Sequence, residues 1–250
     1  RWVLLMNCHL YVSWMNQLEK EVEDIDAQKT DPNFRLWLTS MPSEKFPVSV
    51  LQNGVKMTNE PPAGLRANLR TAYSALPPES FEQTNKPDTW RKMMFGLLLF
   101  NAIILERRKF GPLGWNIQYS FTDSDRDVSL QQVSLLVSDY DVVPFKVVTE
   151  LTAEVNYGGR VTDNWDRRTI KNVLYDFVNA DVLRDGYGFS PSGVYKTIEA
   201  DNKDAYLAYI QELPTNAGPE VFGLHDNADI TCAQNDTYTM FADPLAAAAR

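Results

Sequence analysis

The chain has 250 residues, with 24 Lys and Arg against 33 Asp and Glu and a net charge of −9, and it holds no Lys/Arg cluster that could grip a nucleic-acid backbone. At 44% hydrophobic and 23% charged it has globular usage and is long enough for one large core or two ordinary ones. No apolar run reaches the roughly eighteen residues of a membrane span, and Cys8, Cys232, His9 and His225 lack the spacing of a disulfide framework or a metal site, which fits a reducing, cytoplasmic setting.

Trp2 to Met6 is an unbroken apolar run that stops at Asn7-Cys8-His9. That is the pattern of a buried parallel strand delivering polar residues at its carboxyl end, and it breaks off too early for a signal peptide. Leu10, Trp14, Leu18 and Val22 recur every four residues and predict a helix over 10–23 with an acidic, amide-rich solvated face. After a loop at Asp31-Pro32, residues 34–39 predict a second strand, which Pro42 and Pro47 stop. Two strands with a helix between them imply a parallel pair.

Residues 49–62 read as irregular, with turn signals at Asn53-Gly54 and Pro61-Pro62. A helix follows over 64–76, ended by Pro77-Pro78. Beyond it the strand signal nearly vanishes. Residues 87–110 predict one long buried helix, with Asp88 near its start, cations at Arg107, Arg108 and Lys109 near its end, and Gly111-Pro112 as its stop. Further helices are predicted over 123–138 (buried at Val128, Val133, Leu135, Leu136 and Val137), 144–155, 165–179 and 203–213, with loops at Gly158-Gly159 and 186–193. The expected fold is α/β followed by all-α. The boundaries drawn are 1–78 for the α/β piece, 79–241 for the helical piece and 242–250 for a tail. Both ends read as cut, as in a fragment of something longer.

The wording of several blocks is more specific than this outline. WVLLMNCHL, FRLWLTSMPSEKFPVSVLQNGVKMTNEPPAGLRANL, LLLFNAIILERRKFGPLGWNIQYSF, NYGGRVTDNWDRR and VFGLHDNADIT resemble dynein heavy chains, in the order of the end of the sixth AAA+ module and its lid, over Trp2 to about Phe241. LQNGVKMTNEPP and FGLHDNADIT are similar to the axonemal branch. The resemblance implies the carboxyl-terminal part of an AAA+ P-loop-type large subdomain followed by a helical AAA+ lid bundle. It also implies a parent motor that hydrolyses ATP and moves along microtubules in the ciliary or flagellar axoneme. The partners it implies are neighbouring AAA+ modules of the same chain and, for the parent, microtubules and dynein intermediate and light chains; nucleic acid and membrane are not among them.

Mapped residue by residue, the end of the first strand is the position where AAA+ ATPases carry carboxylates that hold Mg²⁺ and polarise water. Here it carries Asn7 and Cys8, and an uncharged amide cannot hold a divalent ion. Glu23 and Asp24 lie one helix further on. Thr39 and Ser40 occupy the sensor-I-like place at the end of the second strand. The expectation is therefore no catalytic residue, metal or cofactor in this fragment, with ATP and Mg²⁺ bound by other modules of the parent. Arg66, Arg70, Arg107, Arg108, Arg160 and Trp165 are the candidates for inter-module contact: Arg66 and Arg70 sit where an arginine finger would but read better as salt-bridging interface residues, Arg107 and Arg108 read more plainly as a solvated helix end, Trp165 as a core or interface anchor, and the Gly158-Gly159-Arg160 stretch as fixing the packing angle of the lid rather than as a phosphate loop. Asn7 and His9 read most simply as backbone-bonding groups of a turn. Cys8 and His9 as a nucleophile and base would need side chains that a strand points apart. Gly158 and Gly159 permit positive φ or close backbone approach, and Asp163 is a plausible N-cap. Asp226-Asn227-Ala228-Asp229 resembles half a calcium loop that lacks its glycine and distal Glu. An active ATPase module and a helical interaction module remain open as alternatives.

Overall fold

The computed structural model describes residues 1–25, 29–58 and 61–248, the last of these (243–248) as backbone alone. The chain divides into two compact units, residues 1–61 and 62–250.

In the first unit β1 (Trp2–Leu5) runs parallel to β2 (Arg35–Leu38), with Trp2 opposite Arg35 and Leu5 opposite Leu38. Its core is small: Cys8, Met15 and Leu18 are buried, with Leu5, Trp14, Val22, Leu38 and Phe46 packed against them. The helix expected over 10–23 begins only at Met15 as α1 (Met15–Glu23), because residues 8–14 form two 3₁₀ turns that leave Leu10 and Val12 exposed. Residues 48–53, read as mostly irregular, form the short helix α2 (Val48–Asn53), where the Ser49 hydroxyl bonds the Glu19 carboxylate of α1. Residues 59 and 60 of that stretch lie outside the described residues. The strand expected to be buried is not. Trp2 is 71% and Leu4 56% exposed. The core gathers on the Leu5 and Leu38 side, so the opposite face of this pair, where the Trp2 and Trp37 rings meet at 5.6 Å, has no covering layer among the described residues.

The second unit is built around α4 (Pro87–Glu106). Met93 through Ile104 is buried on every side, so the helix needs neighbours all round. They are α3 (Leu65–Ala75), α5 (Asp123–Asp139), α7 (Asn164–Phe177) and the 3₁₀ turn Ala180–Leu183. One polar residue, Asn101, sits inside this apolar run; its side-chain oxygen accepts the Tyr157 hydroxyl at 3.0 Å. α8 (Lys203–Glu212) packs on α3, and Tyr73, Phe81, Phe95 and Tyr206 form one aromatic cluster. Leu65, Leu69, Ala72 and Tyr73 of α3 are all buried in this core. That burial is why the division between units falls at 61/62, one helix earlier than the 78/79 boundary read from composition.

Three other expectations change. The long helix ends at Glu106, and residues 107–113 form a 3₁₀ turn in which Gly111 adopts φ 55° ahead of Pro112. In α5 the buried residues are Ser129, Leu130, Val133 and Val137, whereas Val128 is 43% and Leu135 62% exposed. Ser129 can lie inside because its hydroxyl donates to the Asp125 carbonyl and accepts from Asn156. The segment over 144–155 is α6 (Phe145–Glu150) continued by a π-helical turn, Leu151–Asn156. Finally, α9 (Asn227–Ala248) takes in most of the expected tail, of which residues 249 and 250 are not described, and it leaves Ile230, Tyr238, Met240 and Phe241 exposed.

Two substitutions test this core. Gly96 lies where a Cβ would stand 2.4 Å from the Phe177 carbonyl oxygen, so Gly96→Ala should lower stability by about 1–3 kcal/mol, read as a lower urea midpoint at unchanged slope. The fully buried Tyr73 hydroxyl has no hydrogen-bond partner among the described residues, so Tyr73→Phe should be neutral or stabilise by up to about 1 kcal/mol in the same titration.

Candidate functional site

The carboxyl end of the two-stranded sheet is closed by a ladder of short hydrogen bonds. The Thr39 N–H donates to the Leu5 carbonyl at 2.9 Å, and the Cys8 N–H donates to the Thr39 carbonyl at 2.9 Å. Between them, the Asn7 N–H donates to the Thr39 hydroxyl at 2.9 Å. Asn7 holds a left-handed conformation (φ 55°, ψ 45°), which Asn tolerates better than most residues and which swings the chain out of the strand. Two residues on, His9 Nδ1 accepts the Met41 N–H at 3.1 Å, while the Ser40 hydroxyl donates to the Met41 carbonyl at 2.8 Å. Cys8 is 6% exposed and directs its thiol to the Leu5 carbonyl at 3.5 Å.

The structure therefore brings Asn7, Cys8, His9, Thr39 and Ser40 together and gives most of them local work. The Thr39 hydroxyl and the His9 ring cap backbone donors. Cys8 and His9 face separate partners, so no thiolate–imidazole pair forms. None of the five can carry a carboxylate's charge, and no group of His, Cys, Asp or Glu among the described residues is placed to hold a metal ion.

The other candidates lie in the helical unit. Arg107 is 4% exposed: its Nε and Nη2 donate to the Gly114 carbonyl at 3.2 and 3.0 Å and its Nη1 to the Phe222 carbonyl. Burial pulls its pKa down to about 10, so it stays charged at neutral pH. A side chain enclosed in this way is not on the surface that an inter-module contact requires. Arg66 donates to the Leu213 carbonyl at 3.3 Å, and Arg160 binds Asp125 at 2.7 Å and the Thr122 hydroxyl at 3.1 Å. Arg70 and Arg108 are exposed. Trp165 is 67% exposed, with the Arg168 guanidinium 5.2 Å from its ring centre, whereas Trp115 is a core anchor at 2%.

Of the glycine pair, only Gly158 is required by close approach, and a Cβ on Gly159 would meet open space. A Cβ on Gly158 would lie 2.4 Å from the Ala153 carbonyl oxygen, and neither Gly158 nor Gly159 takes positive φ. Asp163 caps α7 by accepting the N–H groups of Trp165 and Asp166 at 2.8 and 3.0 Å. Asp226 to Asp229 open α9, where His225 Nδ1 accepts the Asn227 N–H at 3.2 Å.

Sequence reading missed Asp166. It is 3% exposed and accepts the backbone N–H groups of Asn116 and Ile117 at 3.1 and 3.3 Å and the Tyr119 hydroxyl at 2.9 Å. Its position four residues before Ile170, on the buried stripe of α7, was the available signal.

Residues 1–58 match the dynein heavy chain region D6 P-loop domain, and residues 90–228 match the dynein heavy chain AAA lid domain. The class is thus a P-loop-type α/β piece followed by an AAA+ lid. The chain belongs to the dynein heavy chain family. It is 51% identical over 241 residues to dynein axonemal heavy chain 1 of Homo sapiens, covering 96% of this chain and 6% of that protein. It is 50% identical over 249 residues to dynein axonemal heavy chain 12 of Rattus norvegicus, covering 98% and 8%, and 49% identical over 248 residues to dynein axonemal heavy chain 3 of Mus musculus, covering 98% and 6%. The chain thus spans 6% to 8% of the length of these relatives. No helix among the described residues is long and apolar enough to cross a membrane.

One consequence concerns pH. Burial alone would raise the Asp125 carboxyl, but hydrogen bonds from Arg160 and Thr122 outweigh it and hold the carboxyl below its ordinary value. A depressed carboxyl stabilises the fold above the unfolded value and ceases to do so as pH falls through the folded one. Wild type should therefore have a higher urea midpoint than Arg160→Gln near pH 6, and the gap should shrink below about pH 4.

Proposed function

We propose that this chain is a non-catalytic element of an axonemal dynein motor, the end of the sixth AAA+ module and its lid, which passes conformational change around the motor ring. One observation carries the reading. The corner where AAA+ hydrolases place metal-holding carboxylates presents the amide of Asn7 and the buried thiol of Cys8, and its remaining polar groups are engaged in closing the turn. Without a carboxylate there is nothing to fix Mg²⁺ or to polarise an attacking water. ATP and Mg²⁺ then belong to other modules of the parent chain. Force is produced there and carried here by packed elements, for which a core as continuous as that around α4 is suited.

On this reading the parent works in cilia or flagella as a minus-end-directed microtubule motor, with intermediate and light chains as its partners. This segment's own partners are the adjoining modules. Arg70, Arg108 and Trp165, which point outward, are the side chains proposed to meet them; Arg66 and Arg160 can contribute only what their internal bonds leave free, and Arg107 is withdrawn.

The test uses the intact heavy chain. Asn7→Gly removes the amide and keeps the left-handed backbone. Microtubule-stimulated ATP turnover should stay within about twofold of wild type, because no metal-binding charge is lost. A fall of about tenfold or more, equivalent to some 1.4 kcal/mol of barrier, would mean that the corner takes part in hydrolysis.

A further inference from the structure

A buried guanidinium is expensive unless every part of it is used, and Arg107 is used almost entirely on backbone. It follows directly on the last residue of α4. Its three donor atoms reach two carbonyls that are distant in sequence, Gly114 on its own turn and Phe222 on the 3₁₀ turn Pro219–Phe222. Beneath it lies the Trp115 ring, at 5.2 Å. No carboxylate lies within ion-pair distance of it among the described residues, and the nearby charge of Asp166 acts only from further away.

Phe222 is followed by Gly223, which turns the chain in the left-handed region (φ 66°), and four residues later α9 begins. Fixing the Phe222 carbonyl therefore fixes the direction in which α9 sets out. The same 107–113 turn makes two further contacts, one with Phe222 and one with α9 itself. The Lys109 ammonium lies over the rings of Phe110 and Phe222, at 4.6 and 5.1 Å, and these two rings meet edge to face at 5.2 Å. The Cys232 thiol of α9 donates to the Lys109 carbonyl at 3.5 Å. The turn is shaped to allow this: a Cβ on Gly114 would lie 1.9 Å from the Arg107 carbonyl oxygen.

We propose that Arg107 is a positioning residue that latches the buried helix α4 to α9 through the Phe222 carbonyl, so that the two helices move as one body. The purpose of the latch rests on the transmission reading above, but its existence does not. The planar fork gives two donors to the Gly114 carbonyl and a third to Phe222 while it lies over the Trp115 ring, a fixed geometry that the point charge of a lysine does not reproduce.

Hydrogen exchange followed by mass spectrometry on the intact heavy chain tests the proposal. In Arg107→Lys and Arg107→Met, peptides over 224–241 should exchange about tenfold faster or more, the scale expected for losing hydrogen bonds to a charged donor, while peptides over 93–104 keep their wild-type rate. Alkylation of Cys232 should accelerate in parallel. Equal acceleration of both regions, or none in either, overturns the latch. If neither Arg107 variant folds, Lys109→Met decides: it removes only the exposed cation, and a smaller acceleration confined to 224–241 supports the latch, while no change there overturns it. Filament gliding by the same variants separates the two ideas. A loosened α9 with wild-type gliding keeps the latch and removes its role in transmission.

Discussion

Everything in the helical unit follows from one constraint: α4 is apolar over three full turns and must be hidden on every side. Burying each large side chain of that run is worth about 1.5–3 kcal/mol, which makes the central position of the helix far more favourable than any surface one. Helices with a single apolar stripe, α3, α7 and α8, then find their place by laying that stripe against it or against one another. The aromatic cluster of Tyr73, Phe81, Phe95 and Tyr206 fills the gap between three of these elements.

Enclosing a helix so completely also encloses polar groups, and the unit answers several of them with specific partners, though the Tyr73 hydroxyl stays without one among the described residues. Asn101 meets Tyr157, the Trp115 indole N–H donates to the Ile104 carbonyl, and Asp166 collects three donors from residues 116–119. Unpaired, groups of this kind would each cost on the order of 1–3 kcal/mol, so their pairing does as much to select one packing as the apolar contacts do. Arg107 belongs to the same pattern at the helix's end. Its charge is spread over carbonyls and an indole face, and the contact therefore ties segments that lie more than a hundred residues apart.

The α/β unit follows a different logic. Its sheet has two strands, and its small core lies on one side only. What it does preserve closely is the corner at the strand ends, where Thr39 bridges Leu5, Asn7 and Cys8. Two of these three bonds join main-chain groups and so do not depend on which side chain follows, while the third needs the Thr39 hydroxyl.

The sequence by itself determined the order of the two units, the parallel strand pair, the buried helix at the centre of the second unit and the kinship with dynein heavy chains. Those depend on local spacing and on long runs of particular residues, both of which can be read along a line. It also determined that no carboxylate stands at Asn7 or Cys8. Tertiary structure alone decided that α3 packs into the helical unit, that Val128 and Leu135 face outward while Ser129 goes in, and that Trp2 and Leu4 are uncovered. It alone turned Arg107 from a surface cation into an internal tie and Asp166 into a buried acceptor. The reason is common to all of these. Which side of an element is covered, and which charge finds a carbonyl, depends on residues brought close only by the fold, and periodicity along the chain carries no record of them.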